Sequence, residues 1–367
     1  MLTGATRRLV RDRRRMNMQK LIDAQFVESR PSVQWRADWL RGPGHDLTMA
    51  LLWVPFALAA LAVRHDPEHL RFLVSATLLF SFAHQPLTLW LVYGDAEQRR
   101  AHASLVVWAP AVLVVAVVIG TTMRPDVVAL VAGLWNVAHT LRQRYGLCKL
   151  YGRLGGINCG ADNRLLWSWL ALAVVVALAR TDLSASARAV GLSRRNSGAI
   201  DVIASADAAV EIVLPAMIIL AIVVTARWAR NELHRSTHST SRLAYLASTA
   251  ALIALLAIDP IVGFVGYVGA HAAEYFLVVR WRVDRAATGR PSRDAVGALA
   301  RRVGGDGTLG LYAVVVVALI FALRVLEPVE VVPVIVLTLG GLHLLFDGVI
   351  WKSPRPAVAH AKVTDRS

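Results

Sequence analysis

Residues 339–352 read LGGLHLLFDGVIWK, an apolar run carrying a histidine and an aspartate one helical turn apart, His343 and Asp347. In a water-soluble helix such a pair means little. In apolar surroundings a buried polar pair needs a reason. Three further histidines stand in comparable settings. His84 lies in FAHQPLTLW, His139 in VAHTLRQRYG and His271 in GAHAAEYF. Each has polar company at helical spacing: Thr77, Ser81 and Thr88 around His84, Asn136 and Gln143 around His139, and Tyr267 and Glu274 around His271. Residues three or four apart share a helix face, and lipid cannot satisfy these groups, so the faces should turn inward and meet. Imidazoles and carboxylates from several helices make a donor set for a first-row metal. We expect His84, His139, His271 and His343 as metal ligands, with Glu274 and Asp347 as catalytic or ligating carboxylates. His45, Asp95, His102, Gln143 and Tyr267 are candidates for the surrounding shell that orients the imidazoles.

The elements that must position these residues follow from composition. The chain has 367 residues, is 56% hydrophobic and has a mean hydropathy of +0.50. Long apolar blocks with few charges read as transmembrane helices. Ten such segments run over roughly 46–63, 72–93, 104–122, 126–142, 165–179, 209–226, 242–258, 260–279, 309–324 and 331–351. The expected fold is an all-α polytopic bundle of about ten helices, eight to ten given three short segments. It spans 42–352, between a basic segment 1–41 that includes an interfacial helix and a polar tail 353–367.

Net charge is +15, nearly all of it from arginine. Arginines crowd the intervals 94–103, 143–164, 227–241 and 280–308, among them Arg99, Arg100, Arg144, Arg153, Arg227, Arg230, Arg282 and Arg302. The positive-inside rule then places these loops and both termini in the cytoplasm. On that topology His84, His271 and His343 fall roughly 12 Å from the cytoplasmic interface, at 1.5 Å rise per residue. His139 lies near the same end of its segment. Because the arginines are spread over many loops rather than gathered on one face, nucleic acid is not expected as a partner. Cys148 and Cys159 flank a glycine-rich loop and are expected as free thiols. Glu211, Asp259-Pro260 and the tryptophans at segment ends, including Trp281 and Trp351, read as structural. The Ala/Arg-rich composition suggests a bacterial cytoplasmic membrane.

A polytopic chain with single histidines on several helices near one face resembles the integral-membrane non-haem iron enzymes. These are the lipid desaturases and hydroxylases and the Brp/Blh family of carotene dioxygenases. The resemblance is one of layout, covering roughly 45–351. Desaturases cluster H-x-x-x-H and H-x-x-H-H boxes; here H-x-x-x-H spacing occurs only in polar segments, at His65–His69 and His234–His238, and H-x-x-H-H does not occur. The four histidine-bearing stretches quoted above look like the scheme of the carotene dioxygenases without reproducing their motifs. The resemblance implies iron, one or two ions, bound by the four histidines. It also implies an oxidoreductase acting on a lipid, isoprenoid or carotenoid-like apolar substrate, with membrane lipids around it and an electron donor as partner. Two other readings stand beside it. The same cluster could be the relay of a proton-coupled transporter, with Pro86 and Gly263, Gly266 and Gly269 as helix-breaking signs, or it could hold a haem.

Overall fold

The structure, a computed structural model, describes residues 34–190, 207–288, 295–326 and 331–350, together with 198 and 205. The basic N-terminus up to 33, Trp351 and the tail 353–367 lie outside the described residues. The chain is almost wholly helical. In order run β1 (Gln34–Arg36), α1 (Pro43–Ala50), α2 (Trp53–Val63), α3 (Pro67–Gly94), α4 (Ala96–Ala101), α5 (Ala103–Met123), α6 (Pro125–Leu154), α7 (Gly160–Arg180) and α8 (Leu183–Ala189). Then come α9 (Asp207–Leu233), β2 (Thr237–Ser239), α10 (Thr240–Ile258), α11 (Pro260–Thr288), α12 (Ala295–Val325) and α13 (Val331–Ile350). Among the described residues 34–41, strand β1 and a coil stand where an interfacial helix was expected, and β1 pairs in parallel with β2.

Eight helices are long and apolar enough to cross a membrane: α3, α5, α7 and α9 to α13. The bent pair α1–α2, with 41° between its halves, makes a ninth. This is the make-up of an integral membrane protein. The outer surface agrees, since α5 exposes Val107, Trp108 and Val112, α9 exposes Ile212 and Ile219, and α12 exposes Val314, Val317 and Phe321. In water that surface would drive aggregation, whereas against lipid tails it costs nothing. All ten expected segments are helical, but four run well past their apolar windows. The intervals 143–164, 227–241 and 280–308, read as loops, are largely helix. A hydropathy window stops at the last apolar residue, but the backbone ladder continues through polar ones.

Helix starts follow local chemistry. The Asp66 side chain accepts from the Glu68 and His69 amides, and Pro67 opens α3 with the φ a helix needs. Asp95 caps α4 through Glu97 and Gln98, and Ser239 caps α10 through Arg242. Helix α11 is the hub. It packs against α2, α3, α6, α10 and α12, and 67% of its spanning window is buried. Its glycines, expected as breaking signs, are contact points in an unbroken helix. A Cβ at Gly269 would stand 2.4 Å from the Phe56 ring on α2. One at Gly263 would stand 2.3 Å from the Leu256 Cα on α10. Small residues let backbones approach where lipid provides no hydrophobic drive.

At one end of α10 a second set of charges is buried. Arg242 donates to both oxygens of Asp162 at 2.7 and 2.8 Å and also to Glu232, while Trp228 Nε1 donates to Asp162 at 2.7 Å. This ties α7, α9 and α10 together. Cys148 and Cys159 lie nearby as buried free thiols, as expected.

Three substitutions test this packing. Gly263→Ala meets backbone that cannot yield and should cost about 2–3 kcal/mol. Gly310→Ala, with open space around it, should leave the thermal midpoint in detergent unchanged or slightly raised. Arg242→Met leaves the buried Asp162 carboxylate without its cation and should cost about 3–5 kcal/mol. Equal midpoints for all three variants would refute the account.

Candidate metal centre

Four helices bring the four histidines together. His84 is on α3, His139 on α6, His271 on α11 and His343 on α13, with Asp347 one turn after His343. All five are buried, the most exposed being His139 at 8%. The ring centroids are close. His84 lies 4.6 Å from His271 and 4.6 Å from His343, His139 lies 5.1 Å from His271 and 5.0 Å from His343, and His271 lies 6.3 Å from His343.

Hydrogen bonds hold the His343 ring. An ionised carboxylate only accepts. Asp347 Oδ1 takes the Thr88 hydroxyl at 3.1 Å and the Tyr275 hydroxyl at 3.0 Å. Thr88 Oγ1 also shares a hydrogen bond with the Tyr275 hydroxyl and one with His343 Nδ1 at 2.7 Å. His343 Nε2 is the ring nitrogen that faces the other donors. It lies 3.1 Å from His84 Nε2 and 3.8 Å from Asp347 Oδ2, and His139 Nε2 lies 3.5 Å from that same oxygen. Three imidazole nitrogens, His84 Nδ1, His139 Nε2 and His271 Nδ1, are buried without a hydrogen-bond partner among the described residues. Buried polar atoms are seldom left so without a ligand or water.

These spacings suit a cation. Donors about 2.1 Å from one ion lie about 3.0–3.4 Å from each other at right or tetrahedral angles. Two triads have donor atoms within 4.8 Å of one another: His84, His271 and His343, and His139, His343 and Asp347. These buried groups could hold a metal ion.

Other expected residues fall elsewhere. Glu274 is on the same face of α11 as His271, but both its oxygens are engaged. Oε1 takes Arg144 Nη1 at 2.5 Å, and Oε2 takes Gln143 Nε2 at 3.2 Å. Gln143 Nε2 also donates to the His271 carbonyl at 3.0 Å. Tyr267 donates to the Val137 carbonyl at 2.9 Å, two residues before His139. Gln143 and Tyr267 thus brace α6 against α11 beside two histidines. His45, Asp95 and His102 belong to neither triad. His45 is exposed against Trp281, Asp95 caps α4 and meets Arg282 at 3.4 Å, and His102 sits at the α4–α5 junction.

Sequence reasoning did not single out Thr88, Tyr275 or Arg144 for the site. Thr88 was visible as the i+4 partner of His84. Tyr275 is i+4 from His271, the same spacing signal. Arg144 was counted among loop arginines but is 1% exposed inside α6, donating to Glu274, to Thr249 Oγ1 at 3.1 Å and to the Ala50 carbonyl at 3.3 Å.

A scan against protein-family models found no match, and searches among curated proteins and solved structures found none either.

The two buried carboxylates should respond differently to substitution. Glu274→Ala leaves the Arg144 charge unpaired in the bundle and should cost about 3–5 kcal/mol in detergent unfolding, far more than His84→Ala. A smaller loss for Glu274→Ala than for His84→Ala would contradict this division of roles.

Proposed function

We propose that the protein is an integral-membrane, metal-dependent oxidoreductase that holds one iron ion in its cluster of buried histidines and Asp347. The observation that carries this reading is the meeting of four buried imidazoles from four helices, two of them, His139 and His343, beside the Asp347 carboxylate. His343 supports one ion rather than two. It belongs to both triads, yet its Nδ1 is turned to Thr88, leaving one nitrogen to ligate. Imidazole nitrogens with a carboxylate are a donor set that suits iron. Bound there, iron would supply oxygen activation. Thr88 and Tyr275 hold the Asp347 carboxylate, and Thr88 also bonds His343 Nδ1. Such orienting partners are a regular part of metal sites.

Apolar side chains surround the centre, with Leu87 and Leu91 on α3 and Leu342 and Phe346 on α13 in one buried cluster with Tyr275. That favours an apolar substrate such as a lipid, isoprenoid or carotenoid, in keeping with the layout resemblance. An electron donor would act from outside the bundle. A cytoplasmic membrane, with both termini and the arginine-rich ends inside, is the setting this reading takes. Haem is disfavoured, because four rings at 4.6 to 6.3 Å leave no gap for a porphyrin disc. A proton-coupled carrier is the alternative. The unbroken α11 through Gly263, Gly266 and Gly269 removes one of its supporting signs.

Elemental analysis of detergent-purified protein, with an optical spectrum of the same sample, tests the reading. We expect about one iron per chain and no Soret band. His343→Ala and Asp347→Ala should lose the iron with far-UV dichroism unchanged. Thr88→Val should weaken iron binding about 10- to 100-fold. Absence of metal after iron supplementation, or full iron in His343→Ala, would sink the assignment.

A further inference from the structure

The exposed face of α6 changes character at one of the four histidines. With 3.6 residues per turn, Val131, Trp135, Arg142, Gly146, Lys149 and Arg153 fall within an arc of about 60°, and His139 lies at its edge. On the N-terminal side of His139 this face is apolar, with Val131 49% and Trp135 48% exposed. On the C-terminal side it is cationic, with Arg142, Lys149 and Arg153 all exposed. Gly146, between the first two cations, faces open space, since a Cβ there would meet nothing within 4 Å. Helix α6 has no acid after Asp126. Among the described residues neither the Arg142 nor the Lys149 side chain makes an ion pair or hydrogen bond. His139, where the two halves of the face meet, is the most exposed of the four histidines, and its Nε2 has no hydrogen-bond partner.

An apolar strip continued by unpaired cations matches an amphiphile with an anionic head. Phosphate is the head that arginine's planar fork and a lysine ammonium hold best. A neutral hydrocarbon would leave both cations unused. We propose that this face seats the substrate and that the substrate is a phosphate-headed lipid, its phosphate on Arg142 and Lys149 and its chain along Trp135 and Val131. Arg142 is three residues from His139, about 4.5 Å along the helix axis, so a carbon within a few bonds of the head stands beside the centre. Cations at helix ends meet an anionic leaflet in general. The exposed Arg227 and Arg230 of α9 do so with no candidate ligand on their helix, whereas the α6 stripe starts one turn from one. That this lipid is a substrate rests on the metal-centre reading. Its seating on α6 does not.

Native mass spectrometry of the detergent-purified protein, with dioctanoyl phosphatidic acid as probe and dioctanoylglycerol as the neutral control, tests the seat. One phosphatidic acid should bind per chain, at least tenfold more tightly than the control. Arg142→Gln/Lys149→Gln should weaken it about tenfold or more, and Arg227→Gln/Arg230→Gln should not. Equal losses from the two pairs would mean diffuse attraction to any cation and would overturn the seat. A phosphatidic acid carrying a diazirine on its chain locates the other end. Photolysis should label α6 between Val131 and His139, and label confined to α5, α9 and α12 would refute the chain's placement. Neither readout needs a metal. Protein that passes both yet binds no iron strikes the iron reading alone, and iron-bearing protein that fails them strikes the lipid seat alone.

Discussion

The ion pair between Arg144 and Glu274 is the constraint around which the rest is arranged. A charge inside a membrane protein is tolerated only when paired and hydrogen-bonded, because desolvation otherwise exceeds the Coulombic gain. Here the guanidinium reaches Glu274 on α11, Thr249 on α10 and the Ala50 carbonyl at the end of α1. The last contact answers a second need. The chain breaks between α1 and α2, and a helix end inside a bundle leaves carbonyls without partners. Arg144 and the Ser248 hydroxyl, 2.6 Å from the same oxygen, satisfy one of them. One side chain thus fixes α1, α6, α10 and α11 together. His139 and His271 are carried on two of those helices.

On the other side of the centre, hydroxyls do the positioning. Asp347, Thr88 and Tyr275 come from α13, α3 and α11, and their bonds orient His343 through one acceptor, Asp347 Oδ1. The two halves of the site are therefore held by different physics, a charge pair on the α6 side and directional hydrogen bonds on the α3–α13 side. Hydrogen bonds of this kind gain strength where water is excluded, and they become costly when one partner is removed.

The close contacts of α11 make both halves compatible. Gly263 lets the α10 backbone at Leu256, and Gly269 the Phe56 ring of α2, come against the hub. Helices approach through small residues here because lipid is no less apolar than leucine. The outward faces of α5, α9 and α12 are correspondingly rich in valine and isoleucine, since they need only match hydrocarbon.

The apolar blocks, read alone, determined that the protein is a helical bundle of membrane-crossing length. The reason is that lipid offers no partner to backbone amides, so an apolar run of that length has one stable form. The sequence also pointed to the four histidines that meet in the bundle, because polar stripes at helical spacing around His84, His139, His271 and His343 have nowhere else to turn, although His238, in a polar segment, is buried as well. It could not say where helices end among polar residues, and so Arg144 read as a loop charge. Nor could it tell Asp347 from Glu274, two acids each one turn from a histidine. Only the tertiary structure decided that, by placing Arg144 against Glu274 and two hydroxyls against Asp347. The choice depends on which helix lies across from each acid, and that packing is set by contacts between residues up to hundreds of positions apart, which local spacing does not encode.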